Sequence, residues 1–357
     1  MIARLGEVPP AMRAVVMTEF GGPEVLACRS VAVPVPGDDE VLIRVAYCGV
    51  CRHDLLTRKG AFPHARVPVI LGHQVSGTVA AAGRAVQDFR PGDRVMTTIF
   101  LGCGACERCL SGNASLCEGE RPKFLGEDVD GGYAEYVARR ADGVVPLPPE
   151  VSFAQAAIVS CTLGTAWHAL VTRAKLAESE TVVVTGASGG VGAHAVQVAV
   201  ALGARVIAIT SGAGKAEALR RLGAAEVVVS PELDFARAVK AATGGRGADV
   251  VLEIVGARTL AESLHAVRSG GRVVIVGNVE GKAATLRPAH LILKEVALLG
   301  TKSCTAQELS EVLARVADGR LVAAVEGVVP LEDAAGLHRR MEAGEGQGRL
   351  VLEVAGG

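Results

Sequence analysis

Val182-Val-Val184 runs directly into Thr185-Gly-Ala-Ser-Gly-Gly-Val-Gly192, and an Ala-rich helical pattern follows from Ala193 to Leu202. A β-branched run, a glycine-rich turn and a helix, in that order, restrict the fold more than any other stretch of the chain. Gly189 and Gly190 let a backbone approach a pyrophosphate, and Gly192 lets the helix pack closely on the sheet. The diphosphate then sits at the positive end of the helix dipole. A glycine triplet by itself is weak, but five more candidate strands follow it: Val206–Ile209, Val227–Val229, Val250–Ile254, Val273–Val276 and Ala297–Gly300. Helical patterns such as Lys215–Leu222 separate most of them. Six strands with crossovers predict an α/β fold, a doubly wound parallel sheet of the Rossmann type. Gly186, Ser188 and Val191 of the same turn join the candidate cofactor-binding residues.

The N-terminal part reads differently. From Arg13 to about Val145, short Val/Ile-rich runs alternate with turns such as Gly21-Gly22-Pro23 and Pro36-Gly37-Asp38, which predicts a β-rich domain. After the sixth strand, helices are expected at Ala306–Ala317 and Leu331–Ala343. A chain of 357 residues exceeds one usual domain. The division expected is 1–160 plus 302–357 for the β-rich domain and 161–301 for the Rossmann domain, with the active site in the cleft between them.

The formal net charge is −1 with both signs interspersed, which argues against a nucleic-acid partner. Val151–Thr172 and Thr181–Ala204 lack Asp, Glu, Lys and Arg, and both are long enough to span a bilayer. The second is the strand–turn–helix unit already described. The first mixes Ser, Gln, Thr and Gly among its apolar residues. Neither is read as a membrane span. No apolar secretory segment is visible near Met1, so the expected location is cytoplasmic.

Nine cysteines are an odd number, and four of them fall within fifteen residues. Cys103-x2-Cys106-x2-Cys109-x7-Cys117 supplies four thiolates for a closed tetrahedral shell around one zinc ion, inside a lobe at about 102–118. With no open ligand position, such a site is structural. Buried thiols, disulfides and an iron–sulfur cluster compete with this reading, the cluster most strongly because four thiolates also suit it.

The end of the second Rossmann strand lacks the Asp or Glu that bonds a ribose 2′-hydroxyl in NAD-preferring domains. Thr210, Ser211 and Lys215 stand there instead, two hydroxyls and a cation suited to a 2′-phosphate. NADP is therefore expected over NAD. The bland alternative is that Lys215 is only a solvated helix residue.

Cys51, His73 and Cys161 have individually bland readings, and spacing alone does not join them. Yet the sequence resembles the zinc alcohol dehydrogenase branch of the medium-chain dehydrogenase/reductase superfamily over essentially its whole length. The landmarks run in order: GVCRHD at Gly49–Asp54, GHQVSGTV at Gly72–Val79, GDRV at Gly92–Val95, the four-cysteine lobe, GGYAEYV at Gly131–Val137, and the glycine turn. The resemblance implies a GroES-like catalytic domain and a catalytic zinc held by Cys51, His73 and Cys161, giving two zinc ions per subunit. It also implies a supporting Asp54, pyrophosphate contacts from Arg52 and Arg349, and a nicotinamide contact from Thr165. Gly277 and Asn278 join the cofactor set. The partners expected are a small-molecule substrate and a second copy of the chain in a homodimer or homotetramer, with Ala297–Thr301 as the pairing edge.

Two positions depart from that family's pattern. Gln74 stands where Glu usually follows the zinc-site His. His53 stands where Ser or Thr usually starts a proton relay, and Leu56 occupies the later relay position. A histidine can itself move a proton. The principal function expected is hydride transfer between NAD(P)(H) and an alcohol, aldehyde or ketone. VTGASGGVG and GNVEG at Gly277–Gly281 also look like zinc-containing acryloyl-CoA reductases and quinone-reductase relatives, so reduction of an activated C=C with NADPH is the alternative. A non-catalytic, cofactor-binding protein is a third reading.

Overall fold

The computed structural model describes residues 3–4, 8–345 and 349–355. The chain forms two compact units: one runs through Cys161 and takes in Ser303–Gly319 and the chain from Ala323 on, and the other is Thr162–Lys302 with Arg320–Val322.

The first unit is built on Glu40–Val50, an eleven-residue strand in which eight positions are buried. Val, Leu and Ile crowd this strand because both of its faces are covered. It pairs antiparallel with Gln74–Ala82, slipping register between Leu42 and Ile43 and again between Val45 and Tyr47. These irregularities bend the strand. Arg94–Thr97 and Val144–Pro146 extend the sheet on one side and Arg349–Glu353 and Val325–Pro330 on the other, with Tyr136–Arg140 also paired to the long strand. A smaller sheet of Ala11–Met17, Leu26–Ala32 and Val69–Ile70 contributes to the same core.

The second unit carries six parallel strands: Thr181–Val184, Arg205–Thr210, Glu226–Val229, Ala248–Glu253, Val267–Ile275 and Ala297–Gly300. Their spatial order is third, second, first, fourth, fifth, sixth. That is the doubly wound dinucleotide-binding arrangement, with its switch point between the first and fourth strands. The helix after the first strand starts at Gly190, three residues before the expected Ala193. Gly192 explains this. A Cβ there would lie 2.3 Å from the carbonyl oxygen of Gly186, so its missing side chain lets the first helical turn close on the loop itself.

The uncharged stretch from Val151 forms the helix Phe153–Arg173. Among the described residues it is the one helix long and apolar enough to cross a bilayer, and 72% of its apolar window is buried inside the fold. Ser152 and Gln155 close a reciprocal cap at its start. Its fifth-residue turn at Ser160–Gly164 contains Cys161. Such widened turns concentrate at functional sites.

Candidate active site and metal centres

Cys51 is the N-cap of the helix Arg52–Arg58, at the point where the long strand ends. Its extended backbone and the following turn let its thiol accept from His53 N at 3.4 Å. Asp54, at the third helical position, accepts from Cys51 N at 2.8 Å. The other Asp54 oxygen lies 3.1 Å from His73 Nδ1. His73 immediately precedes Gln74, which pairs with Gly49 in the sheet, so strand register carries the imidazole to the thiol. His73 Nε2 is 3.5 Å from Cys51 Sγ, and Cys161 Sγ is 4.0 Å from the same sulfur. The three donor atoms all lie within 4.8 Å of one another.

The buried donors shift one another's protonation. A bond from Cys161 draws Cys51 well below the usual thiol range, and the same bond together with burial pushes Cys161 up. Burial alone would lower His73, but Asp54 and Cys51 outweigh it and raise the imidazole to about 10. Arg349 is buried beside this pair. Burial opposes its charge, while Cys161 and Cys51 raise its pKa.

Two sulfurs and one imidazole nitrogen match the donor set of a three-ligand catalytic zinc site, the kind that keeps a fourth position open. The second ring nitrogen of His73 already has its carboxylate, as such ligands require. Gln74 adds a further mark of a polar site: both of its side-chain amide atoms are buried without a hydrogen-bond partner. The residues present fit the ion.

The four-cysteine lobe fits one equally well by other means. Cys103, Cys106, Cys109 and Cys117 bring all four sulfurs within 4.8 Å of one another. Backbone amides point at the sulfurs: Cys103 N to Cys117 Sγ at 3.2 Å, Cys106 N to Cys103 Sγ at 3.3 Å, and Glu120 N to Cys117 Sγ at 3.4 Å. Backbone donors at Glu118 and Cys109 lower Cys106 to about 5, and those at Cys103 and Glu120 lower Cys117. Burial pushes Cys109 up to about 12. A Cβ on Gly119 would lie 2.6 Å from Cys103 Sγ, so only glycine leaves room for that sulfur.

His53 is held in a way the sequence did not reveal. Its ring is stacked between Phe62 and Phe124, at centroid distances of 4.3 and 4.1 Å, both at 16°. Nε2 lies 2.8 Å from Glu127 Oε2, a carboxylate that is itself buried. The His53 and His73 ring centroids are 5.4 Å apart in an edge-on arrangement, so the assembly adjoins the Cys51–His73–Cys161 cluster. Phe62, Phe124 and Glu127 come from loops and a two-residue strand, and no pattern in the sequence singles them out. A second unforeseen group is buried below: Arg58 Nη1 donates to His338 Nδ1 at 3.3 Å, and His338 Nε2 meets Tyr133 Oη at 3.1 Å.

Arg52 is exposed on the first turn of its helix, and Thr165 is half-buried at the start of the helical turn Thr165–Trp167 in the second unit. In that unit Gly186, Ser188, Gly189, Gly190, Val191 and Gly192 form the turn and the first helical residues, with Gly189 as N-cap. Thr210 is buried, its hydroxyl 3.1 Å from that of Ser188 and accepting from Gly212 N at 3.4 Å. It therefore braces the loop, whereas Ser211 is exposed and Lys215 half-buried. Gly277 and Asn278 follow the fifth strand, with Asn278 exposed.

Residues 37–149 match the family model of the alcohol dehydrogenase GroES-like domain, and residues 190–318 that of the zinc-binding dehydrogenases. The acryloyl-coenzyme A reductase of Metallosphaera sedula is 36% identical over 90% of this chain and 94% of its own length. An alcohol dehydrogenase of Geobacillus stearothermophilus is 37% identical over 96% of this chain and 100% of its own. The crystal structure of AibC superposes with a TM-score of 0.92 at 44% identity, covering 97% of this chain and 96% of that one. A GroES-like domain and a Rossmann domain, near-whole-length relatives among the alcohol dehydrogenases and acryloyl-coenzyme A reductases, and convergent zinc-type donors make the chain an oxidoreductase of the zinc-type alcohol dehydrogenases, within the medium-chain dehydrogenase/reductase superfamily.

Proposed function

We propose that the chain transfers hydride between NADP(H) and the carbonyl carbon of a small alcohol, aldehyde or ketone, with a catalytic zinc held by Cys51, His73 and Cys161. The observation that carries this reading is the convergence of those three donors, with Asp54 on the second ring nitrogen of His73. A zinc ion bound there supplies Lewis-acid polarisation of a substrate oxygen. The protein groups do the rest. Asp54 fixes the tautomer and direction of His73. His53, clamped between its two phenyl rings and tied to Glu127, is the group assigned to move the proton. Arg52 and Arg349 are assigned to the pyrophosphate, Thr165 to the nicotinamide, and the 186–192 turn with Gly277 and Asn278 to the dinucleotide backbone. Cys103, Cys106, Cys109 and Cys117 hold a second zinc, structural and closed.

NADP is preferred in this reading because Ser211 and Lys215 follow the second strand where a carboxylate would repel a 2′-phosphate. Thiolate ligands require a reducing compartment, which supports the cytoplasm. Ala297–Gly300 ends the order of the six-stranded sheet, and Ile292 and Leu293 beside it are 71% and 82% exposed, which supports pairing of two copies along this edge. A monomeric mass by light scattering at micromolar concentration would reject the pairing.

The acryloyl-coenzyme A reductase relative supports a second reading, reduction of an activated C=C. One substrate separates the two. NADPH is supplied with a small α,β-unsaturated aldehyde, and the product is identified by NMR. An allylic alcohol is expected, since hydride then reached the carbonyl carbon. A saturated aldehyde would mean delivery to the β-carbon and would replace the carbonyl reading with the C=C reading.

A further inference from the structure

A carboxylate taken out of water must be satisfied by donors. Glu253, the last residue of the fourth strand in the second unit, is fully buried. Four donors converge on its Oε1: Thr185 Oγ1 at 2.9 Å, Val255 N at 2.9 Å, Gly256 N at 2.9 Å and Thr259 Oγ1 at 2.7 Å. Ser263 Oγ donates to Oε2. These partners are hydroxyls and amides, with no basic side chain among them.

The donors come from separate loops. Thr185 follows the first strand and opens the glycine turn, and its hydroxyl also accepts from Ile254 N at 2.9 Å. Val255 and Gly256 belong to the loop after the fourth strand. That loop in turn bonds the one after the fifth, through Val276 N to Glu253 O at 2.8 Å and Val279 N to Val255 O at 3.0 Å. Gly256 has φ +94°, and a Cβ there would lie 2.6 Å from Asn278 Cα, so the two loops are in close contact. In this strand order the first and fourth strands flank the switch-point crevice where a dinucleotide lies.

We infer that Glu253 is a positioning residue for the dinucleotide: its carboxylate ties the glycine turn to the loops after the fourth and fifth strands, setting the walls between which the cofactor binds. The inference rests on the dinucleotide reading of this unit. Charge matters because four donors on one oxygen are held best by an anion. An amide keeps the shape and loses that strength. Glu253 acts through Thr185 and the 255–259 loop, since it is itself enclosed.

The test is NADPH binding by fluorescence titration, paired with thermal melts, on the whole protein. Glu253→Gln is expected to raise the dissociation constant at least fivefold, and Thr185→Val at least threefold. Ser263→Ala removes the bond to the other oxygen from the helix Leu260–Ala266, away from the loops. It is expected to lower the melting temperature while leaving the dissociation constant within twofold. A carboxylate that merely stabilises the domain would give Glu253→Gln a lower melting temperature and unchanged affinity, and that result overturns the inference. Should Glu253→Gln not fold, Thr185→Val against Ser263→Ala decides, and equal affinities overturn it. Wild-type protein that binds neither NADPH nor NADH would remove the dinucleotide reading and the inference together. Wild-type binding with unaltered variants would remove the inference alone.

Discussion

The four thiols of the lobe come from fifteen consecutive residues, whereas Cys51 and Cys161 are 110 positions apart. The lobe has little apolar support: its short helix Glu107–Leu110 and the turn Ala114–Leu116 bury only Ser115. Leu110 is 75% exposed. A segment of that kind cannot hold itself together by burial, so its conformation depends on what the sulfurs bind. The dispersed set is the reverse. Cys51 and His73 are carried by two long paired strands of a packed core, and Asp54 and the helix cap are satisfied within it. With the proposed zinc in each, one site would shape its surroundings through the metal, and the other is shaped by a core that exists without it.

That contrast predicts opposite outcomes for two similar substitutions. Cys51→Ser is expected to cut kcat/KM by at least about 10³-fold, roughly 4 kcal/mol, while the melting temperature barely moves. Cys106→Ser is expected to cost roughly 3 kcal/mol of stability, or about 6–12 °C, with the folded fraction retaining activity within about tenfold. Zinc content by mass spectrometry, kcat/KM and thermal melts on both variants check this. Equal losses of melting temperature would break the comparison.

Within the dispersed site, a finer division separates groups assigned to hold the proposed metal from groups assigned to act beside it. His53→Ala is expected to reduce kcat about 10²-fold, near 2.7 kcal/mol, with zinc content unchanged. Loss of zinc from His53→Ala would place His53 among the supports of the ion instead.

The two sites also differed in how readable they were. The lobe and the glycine turn were legible because their chemistry is local: spacing alone brings four thiols together, and one strand–turn–helix sequence sets a glycine turn at a helix N-terminus. The inner strands of the parallel sheet were legible for the same reason, since a β-branched run buried on both faces marks itself, whereas the half-buried edge strands Glu226–Val229 and Ala297–Gly300 were read from their place in the strand–helix alternation. Cys51, His73 and Cys161 were not derivable from spacing and entered through the family resemblance. Their meeting depends on strand register and on a turn in the helix Phe153–Arg173, and neither leaves a periodic trace. The sandwich of His53 between Phe62 and Phe124, the Glu253 hub and the Arg58–His338–Tyr133 chain were invisible for that reason too. Gln74 is a middle case: its identity is plain in the sequence, and its unpartnered amide appears only in three dimensions.

The smallest effect expected concerns the support beneath the dispersed site. His338 is fully buried, and burial, aided by the Arg58 cation and opposed by Asp54, lowers its pKa to about 4. Arg58 donates to its Nδ1, so Nε2 carries the proton given to Tyr133. In the unfolded chain the same imidazole takes up a proton near pH 6.5. Between those values the unfolded state binds more protons than the native one, so stability falls as pH falls from about 6.5 towards about 4. The loss reaches about 2 kcal/mol by pH 5 and up to about 3 kcal/mol at the lower end. His338→Gln should therefore lose roughly 4 °C less than wild type in melting temperature between pH 7 and pH 5, whatever its starting stability. Parallel pH slopes would reject the assignment. Repeating the pair in the Cys106→Ser background sharpens the contrast between the two sites: if the difference in slope persists, the acid sensitivity belongs to the core that carries Cys51 and His73, and if it disappears, the lobe and that core are a single cooperative structure.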